Sequence, residues 1–108
     1  MDCIVIFITA SNREEADKIA NSLVLKKLVA CVNIVNEIKS VFMWKGKIER
    51  ADEVLLIAKS VRKNFRNIVK EVKRLHSYEC PEIIALPIVA GNKDYLEWVR
   101  EETAKNKK

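Results

Sequence analysis

The chain has 108 residues, of which 49% are hydrophobic and 32% are charged, and its net charge is +5 at pH 7. This composition predicts a single globular domain over residues 1–108 and excludes a disordered or low-complexity protein. The three cysteines have no close-paired spacing, and no secretory signal or membrane span is visible. We therefore expect a cytoplasmic protein without a disulfide framework.

The first predicted elements are a strand and a helix. Residues 3–8 form a continuous run of β-branched and aromatic side chains, apart from the first, which is typical of a strand buried on both faces. Ser11, followed three residues later by Glu14, is a capping-box pattern, so we expect Ser11 to cap a helix. The apolar residues that follow keep a helical spacing to about Lys27.

A long antiparallel hairpin follows. From residue 30 to residue 44 the apolar side chains alternate, and a change of parity within this run predicts a β-bulge near residues 39–40. The turn is expected at residues 45–47, because Gly46 accepts a positive φ there. The returning strand is predicted over residues 48–59.

The second half of the chain predicts a helix, a strand and a further helix. Residues 83–89 read as a strand in which Pro87 implies a sheet edge or a bulge. Pro81 ends helical structure before that strand, and Asn92 can cap the last helix. The order β-α-β-β-α-β with a trailing helix predicts an α+β, ferredoxin-like split βαβ fold with an antiparallel sheet. The second helix carries its apolar stripe at Val61, Phe65, Ile68, Val69, Val72 and Leu75.

The positive charge invites a nucleic-acid interpretation. The basic residues are spread along the chain and interleaved with acids in this interpretation, which favours solvated helix faces. Residues 105–108 are expected to form a solvated end. RNA-binding modules of this fold also need stacking aromatics in the central strands. Here the central strands are aliphatic, for example at residues 54–58. We therefore predict no nucleic-acid partner.

The length of the hairpin predicts an oligomer. A strand over residues 30–44 would extend roughly 45–50 Å at about 3.3 Å per residue. A compact chain of this size has a diameter of only roughly 35 Å. The distal half of the hairpin is also apolar, so we expect it to pack against neighbouring copies rather than face water. The apolar residues in question are Val41, Phe42, Met43 and Trp44.

Four segments in order resemble a known family. They are ACVNI at residues 30–34, WKGKI at residues 44–48, EVLLIAK at residues 53–59 and HSYECPEIIALPI at residues 76–88. Together they are similar to the CutA family, the divalent-cation tolerance proteins. The resemblance implies a ferredoxin-like homotrimer whose architecture is similar to PII signalling proteins. It also implies binding of copper and other divalent metals, with a role in metal tolerance.

Metal-ligand candidates cluster after the second helix. His76 and Glu79 can meet one metal ion if the backbone turns between them, and Cys31 or Cys80 would supply a thiolate suited to copper. From the residues alone, a helix-terminal histidine more often caps carbonyls, and a strand cysteine such as Cys31 is more often a small core residue. The resemblance favours His76, Glu79 and Cys31 as ligands.

The resemblance also implies a cleft between subunits, formed by Trp44, Lys59, Tyr78 and Glu82. Lys59 ends an apolar strand, so it is expected to pair with an acid, Glu79 or Glu82, or to face that cleft. A PII-like trimer that binds a small anion at Lys59, without a physiological metal, is the alternative function. No phosphate loop or nucleophile elbow is present, so we predict a binding protein and not an enzyme.

Overall fold

The structure is a computed structural model that describes residues 2–104, so residues 105–108, predicted as a solvated end, lie outside it. The strands are β1 (Cys3–Ala10), β2 (Cys31–Trp44), β3 (Lys47–Val61) and β4 (Ile83–Pro87). They form one antiparallel sheet in the order β2-β3-β1-β4. The helices are α1 (Arg13–Leu25), α2 (Phe65–Leu75), which follows a 3-10 turn at Arg62–Asn64, and α3 (Lys93–Ala104). The predicted α+β ferredoxin-like fold is confirmed.

The two faces of the sheet are covered unequally. On one face, alternate residues of β1 and β3 form the main core with the buried stripes of α1 and α2. On the other face, α3 covers only one end, where Leu96 and Val99 pack against Cys3 and Val61. Val61, predicted on the second helix, therefore ends β3 and belongs to this smaller cluster. The main core contains Ile4, Ile6, Ile8, Ile19, Leu23, Leu56, Ala58, Ile68 and Val72.

Helix α1 is capped by Asn12, and the predicted cap at Ser11 is wrong by one residue. The Asn12 side chain accepts a hydrogen bond from the Glu15 N–H at 2.8 Å. The Glu15 carboxylate in turn accepts the Ser11 N–H at 3.1 Å. Glu15 also accepts the N–H of Ser77 at 3.2 Å. Glu15, three residues after Asn12, therefore takes the place that the predicted cap gave to Glu14, which is exposed.

The bulge lies between Val35 and Ile38, earlier than the predicted residues 39–40. Val35 pairs with Leu55 and Ile38 pairs with Glu53, so β2 contains one more residue than β3 between these two pairs. The pairing of β1 with β3 ends at Val54. The bulge therefore sits where the hairpin leaves the four-stranded sheet.

Beyond the bulge, β2 and β3 continue as a two-stranded ribbon that only their mutual pairing supports within the sheet. Its turn is Lys45-Gly46, with φ of 52° and 84°, as a two-residue hairpin turn requires. The described chain measures 44 × 29 × 22 Å. All ribbon residues from Val41 to Arg50 are exposed, including Met43 at 65% and Ile48 at 66%. The predicted overhang of the hairpin is therefore present.

Replacing the two candidate caps tests where α1 begins. We expect Asn12→Ala to lower the free energy of unfolding by about 1 kcal/mol, because the Glu15 N–H loses its acceptor. Ser11→Ala should cost clearly less, since Ser11 holds Glu15 mainly through its backbone N–H, and its hydroxyl makes only a long, exposed contact with Ser77. Thermal unfolding of both variants is the measurement. A larger loss for Ser11→Ala than for Asn12→Ala would contradict the observed cap.

Candidate functional site

His76 is the C-terminal cap of α2, and its imidazole is fully enclosed by the chain. The backbone N–H of His76 donates to the Val72 carbonyl at 2.9 Å, so His76 is the last residue with a helical hydrogen bond to α2. Its imidazole has no exposed surface. Nδ1 accepts the Tyr78 N–H at 3.0 Å, so Nε2 carries the proton and donates to the Thr9 carbonyl at 2.6 Å. Both ring nitrogens therefore have a partner within the chain.

The Glu15 carboxylate lies beside this imidazole. Its Oε2 is 3.3 Å from His76 Nδ1, and its two oxygens accept the N–H groups of Ser77 and Ser11. Burial on its own would raise the pKa of Glu15. The hydrogen bonds that Glu15 accepts from Ser77 and Ser11 outweigh burial and hold that pKa below its usual value. Glu15 thus joins the start of α1 to the segment after α2.

Tyr78 continues the same cluster into β3. Its hydroxyl donates to Glu53 Oε2 at 2.7 Å, and Glu53 is only 6% exposed. The rings of Tyr78 and His76 lie 4.8 Å apart. Burial, with the hydrogen bond to Glu53, raises the pKa of Tyr78 to about 12. Tyr78, predicted in a cleft between subunits, is therefore half-buried within its own chain.

Sequence reasoning missed three members of this cluster, namely Glu15, Glu53 and the Thr9 carbonyl. Glu53 carried no usable signal, because an acid that directly precedes an apolar run can also be exposed, as Asp2 before β1 is. Thr9 carried none, since only its backbone takes part.

The predicted ligands Glu79 and Cys31 lie in different surroundings. Glu79 is exposed just after the cluster, as are Cys80 and Glu82. Cys31 begins β2, is half-buried, and places its Sγ 3.3 Å from the Tyr95 hydroxyl.

Lys59 lies beside Cys31 and does not reach the acids predicted as its partners. The two residues face each other across β2 and β3. The Lys59 ammonium donates to the Asn33 side-chain oxygen, a neutral group. The expected pairing with Glu79 or Glu82 is therefore wrong for this chain. Lys59 lies on the sheet face away from α1 and α2, on the same side of β3 as Ile57 and Val61.

One chain does not bring the predicted metal ligands together. His76 contacts the carbonyl of Thr9 on β1. Cys31 on β2 pairs with Lys59 on β3, and Lys59 pairs with Val5, which is four residues from Thr9 along β1. At about 3.3 Å per residue that separation is about 13 Å. Among residues 2–104, no three His, Cys, Asp or Glu side chains are grouped closely enough to hold a metal ion. The set His76, Glu79 and Cys31 stays a prediction that a single chain does not satisfy.

The sheet face away from α1 and α2 is largely open and apolar. Phe7 lies between Ile57 on β3 and Ile84 on β4, and Val5 lies beside Leu86. Ile84 and Leu86 are each 50% exposed. Trp44, predicted in the same cleft as Lys59, stands far from it at the end of the ribbon, 41% exposed, with the Lys45 ammonium 5.6 Å from its ring.

Comparison with known proteins identifies the family. The family model described as CutA1 divalent ion tolerance protein matches residues 4–102. The chain belongs to this family. A divalent-cation tolerance protein CutA from Archaeoglobus fulgidus is 50% identical over 96 residues, which cover 89% of this chain and 93% of that protein.

Two further relatives show the range of the family. Protein CutA, chloroplastic, from Arabidopsis thaliana is 46% identical and covers 93% of this chain, but this chain spans only 55% of that protein. The solved divalent cation tolerance protein (Cut A1) from Thermus thermophilus superposes with a TM-score of 0.91 at 43% identity, covering 93% of this chain and 97% of that one. In this CutA1-family chain, no helix within residues 2–104 has the length and apolar composition needed to cross a membrane.

The two tyrosines of the sequence offer a direct test of the cluster. The pKa of Tyr95 is also raised to about 12, by burial and by its contact with Cys31. Because a raised pKa favours the protonated phenol in the folded state, this stabilisation is present below about pH 10 and is lost as the pH rises towards about 12. We expect ultraviolet titration of the folded protein to show almost no phenolate at pH 10.

Matched variants assign that titration. Glu53→Gln should lower the pKa of Tyr78, because the phenol then donates to a neutral amide, while Tyr95 keeps its environment. Tyr78→Phe leaves Tyr95 as the single titrating group. Half-ionisation of both tyrosines near pH 10 in the folded protein would contradict the observed burial and hydrogen bonds.

Proposed function

We propose that this protein is a homotrimer that binds divalent metal ions, copper first among them, and acts in metal tolerance without catalysing a reaction. The observation that carries the proposal is the match of the CutA1 divalent ion tolerance family over residues 4–102. Cytoplasmic location is part of the proposal and rests on the unpaired cysteines. Relatives with other locations exist, since the printed name of the Arabidopsis protein is chloroplastic.

The open sheet face and the ribbon support assembly. Both expose large apolar side chains, with Phe42 at 42% and Val41 at 57% on the ribbon and Leu86 at 50% on the sheet. An isolated two-stranded ribbon is at best marginally stable in water. Contact with other copies would bury both surfaces at once. The number of copies, three, comes from the resemblance to CutA proteins.

A metal site built on the predicted ligands needs more than one subunit. Cys31 lies about 13 Å along the sheet from the His76 cluster in one chain. A copper ion could therefore meet both only if different subunits supply them. His76 would also have to release either Thr9 or Tyr78 to become a ligand. Glu79, which is exposed, needs no such rearrangement.

An anion site at Lys59 is the second candidate function. The Lys59 ammonium lies on the open sheet face, and its partner there is the neutral Asn33 amide. Its charge is thus not cancelled by that contact, which favours an acidic ligand in a cleft formed with another subunit.

Titration with Cu(II) by calorimetry tests the metal proposal. We expect the wild type to bind copper, and Cys31→Ser and Glu79→Gln to weaken binding at least about tenfold, because each removes a ligand atom. Cys80→Ser is the matched control, since it makes the same substitution at an exposed thiol. His76→Gln, checked for folding by circular dichroism, reports whether the imidazole is a ligand.

The outcomes separate the two candidates. Wild-type copper binding that survives all of these substitutions unchanged would show that the predicted ligands are wrong. Loss with Cys80→Ser but not with Cys31→Ser would move the thiolate to the other cysteine. No copper binding by the wild type would contradict the metal proposal and leave the anion site at Lys59.

A further inference from the structure

The positive charge of the chain is concentrated in one segment. Residues 62–74 contain six basic residues and one acid, so their net charge equals the +5 of the whole chain. The remaining residues carry 14 basic and 14 acidic side chains. The expectation that the basic residues are spread along the chain and interleaved with acids is therefore wrong for this segment. This segment is the 3-10 turn and α2.

Four of these cations form one row on the outward side of the 3-10 turn and α2. Lys63, Arg66, Lys70 and Lys73 follow one another at intervals of three, four and three residues, which places them along one side of the helix. All four are exposed. The opposite side of α2 carries Ile68 and Val72 into the core. No ion pair among residues 2–104 involves any of the four, so their charge is not cancelled within the chain.

The buried carboxylate of Glu71 holds the ammonium of Lys26, at the end of α1, beside this row. Glu71 accepts hydrogen bonds from Ser22 and from Arg74 Nη2, the latter at 2.6 Å, and Lys26 Nζ lies 3.3 Å away. The hydrogen bonds from Arg74, Ser22 and Lys26 lower the pKa of Glu71 to about 2 although burial opposes them. Two cations share this one permanent negative charge. The groove beside Glu71 is lined by Lys26, Leu28, Asn67, Lys70, Glu71 and Arg74.

We propose that the outward face of α2, the row Lys63, Arg66, Lys70 and Lys73 with Lys26 at its edge, binds the phosphate backbone of a nucleic-acid duplex without reading its base sequence. Lysine, arginine and asparagine are the side chains that contact backbone phosphates. The row is about 15 Å long at about 1.5 Å per residue. That length matches four to five base pairs at about 3.4 Å each.

The chemistry of the face favours a duplex over a lipid surface. A helix that lies in a membrane interface inserts an apolar face between lipids. The apolar residues of α2 are instead packed in the core, and the outward positions are cationic. The exposed apolar residues nearby, Val24 and Leu25, lie at the end of α1 and outside the cationic row.

The proposed surface is independent of the two surfaces already described. It lies on the helical side of the sheet, opposite the open apolar face. A trimer built on the open face and the ribbon would leave α2 accessible. The RNA-binding mode excluded from the sequence uses aromatics on the sheet face, whereas this one uses charge on a helix.

Salt-dependent binding tests the proposal. Fluorescence anisotropy of the full chain with short labelled duplexes of mixed sequence, one DNA and one RNA, gives affinity and salt slope together. Four phosphate contacts predict that raising the salt from about 50 to about 200 mM weakens binding about 100-fold. The double variant Arg66→Gln/Lys70→Gln removes two contacts, so the same salt change should weaken its binding only about tenfold.

A matched control keeps the net charge the same. Lys47→Gln/Lys93→Gln also removes two exposed lysines, but one is beside the ribbon turn and the other begins α3. It should retain the wild-type affinity and slope. Equal losses in both double variants, no duplex binding at about 50 mM salt, or binding to phosphatidylserine vesicles without binding to either duplex would overturn the proposal. The DNA and RNA arms show which duplex is preferred.

Discussion

The pairing of β2 with β3 continues well past the point where β1 stops, and most of the properties of this protein depend on that excess length. Up to Val54 the hairpin belongs to a four-stranded sheet whose one face is covered by α1 and α2. Past the bulge it is a ribbon with water on both sides and apolar side chains on its surface. The open face of the sheet also exposes apolar side chains, since α3 covers only the end near Cys3 and Val61. A chain of this kind gains most by sharing these surfaces with copies of itself.

The polar cluster around His76 fixes the segment between α2 and β4. Thr9 on β1, Glu15 on α1, Glu53 on β3 and Tyr78 after α2 meet at one imidazole and its neighbours. Because each buried polar group there has a hydrogen-bond partner, the cluster fixes how the α2–β4 segment leaves the helix. It thereby sets the position of the exposed Glu79, Cys80 and Glu82. Within one chain, His76 is the residue on which this cluster is built, and Glu79 follows the cluster directly.

The sequence supported the element order, the hairpin and its turn, because alternation, helical spacing and glycine at a two-residue turn are local signals. The errors arose where a distant residue decides the outcome. Ser11 with Glu14 and Asn12 with Glu15 have the same capping spacing, and the pair in use is the one whose glutamate also accepts the Ser77 N–H. The bulge lies where the pairing of β1 with β3 ends, which the alternation within β2 alone does not reveal. Lys59 finds Asn33 on the neighbouring strand, a partner that spacing along the chain does not reveal. Charge concentration on α2 was present in the sequence, but only the fold shows that the row faces outward.

The central claim is that copies of this chain cover the ribbon and the open sheet face. Sedimentation equilibrium of the full chain at micromolar concentration tests it most directly. The account predicts a single species of three times the 12.4 kDa chain mass, unchanged on dilution within that range. A stable monomer of 12.4 kDa would contradict it, because the exposed apolar ribbon would then persist in water without a partner.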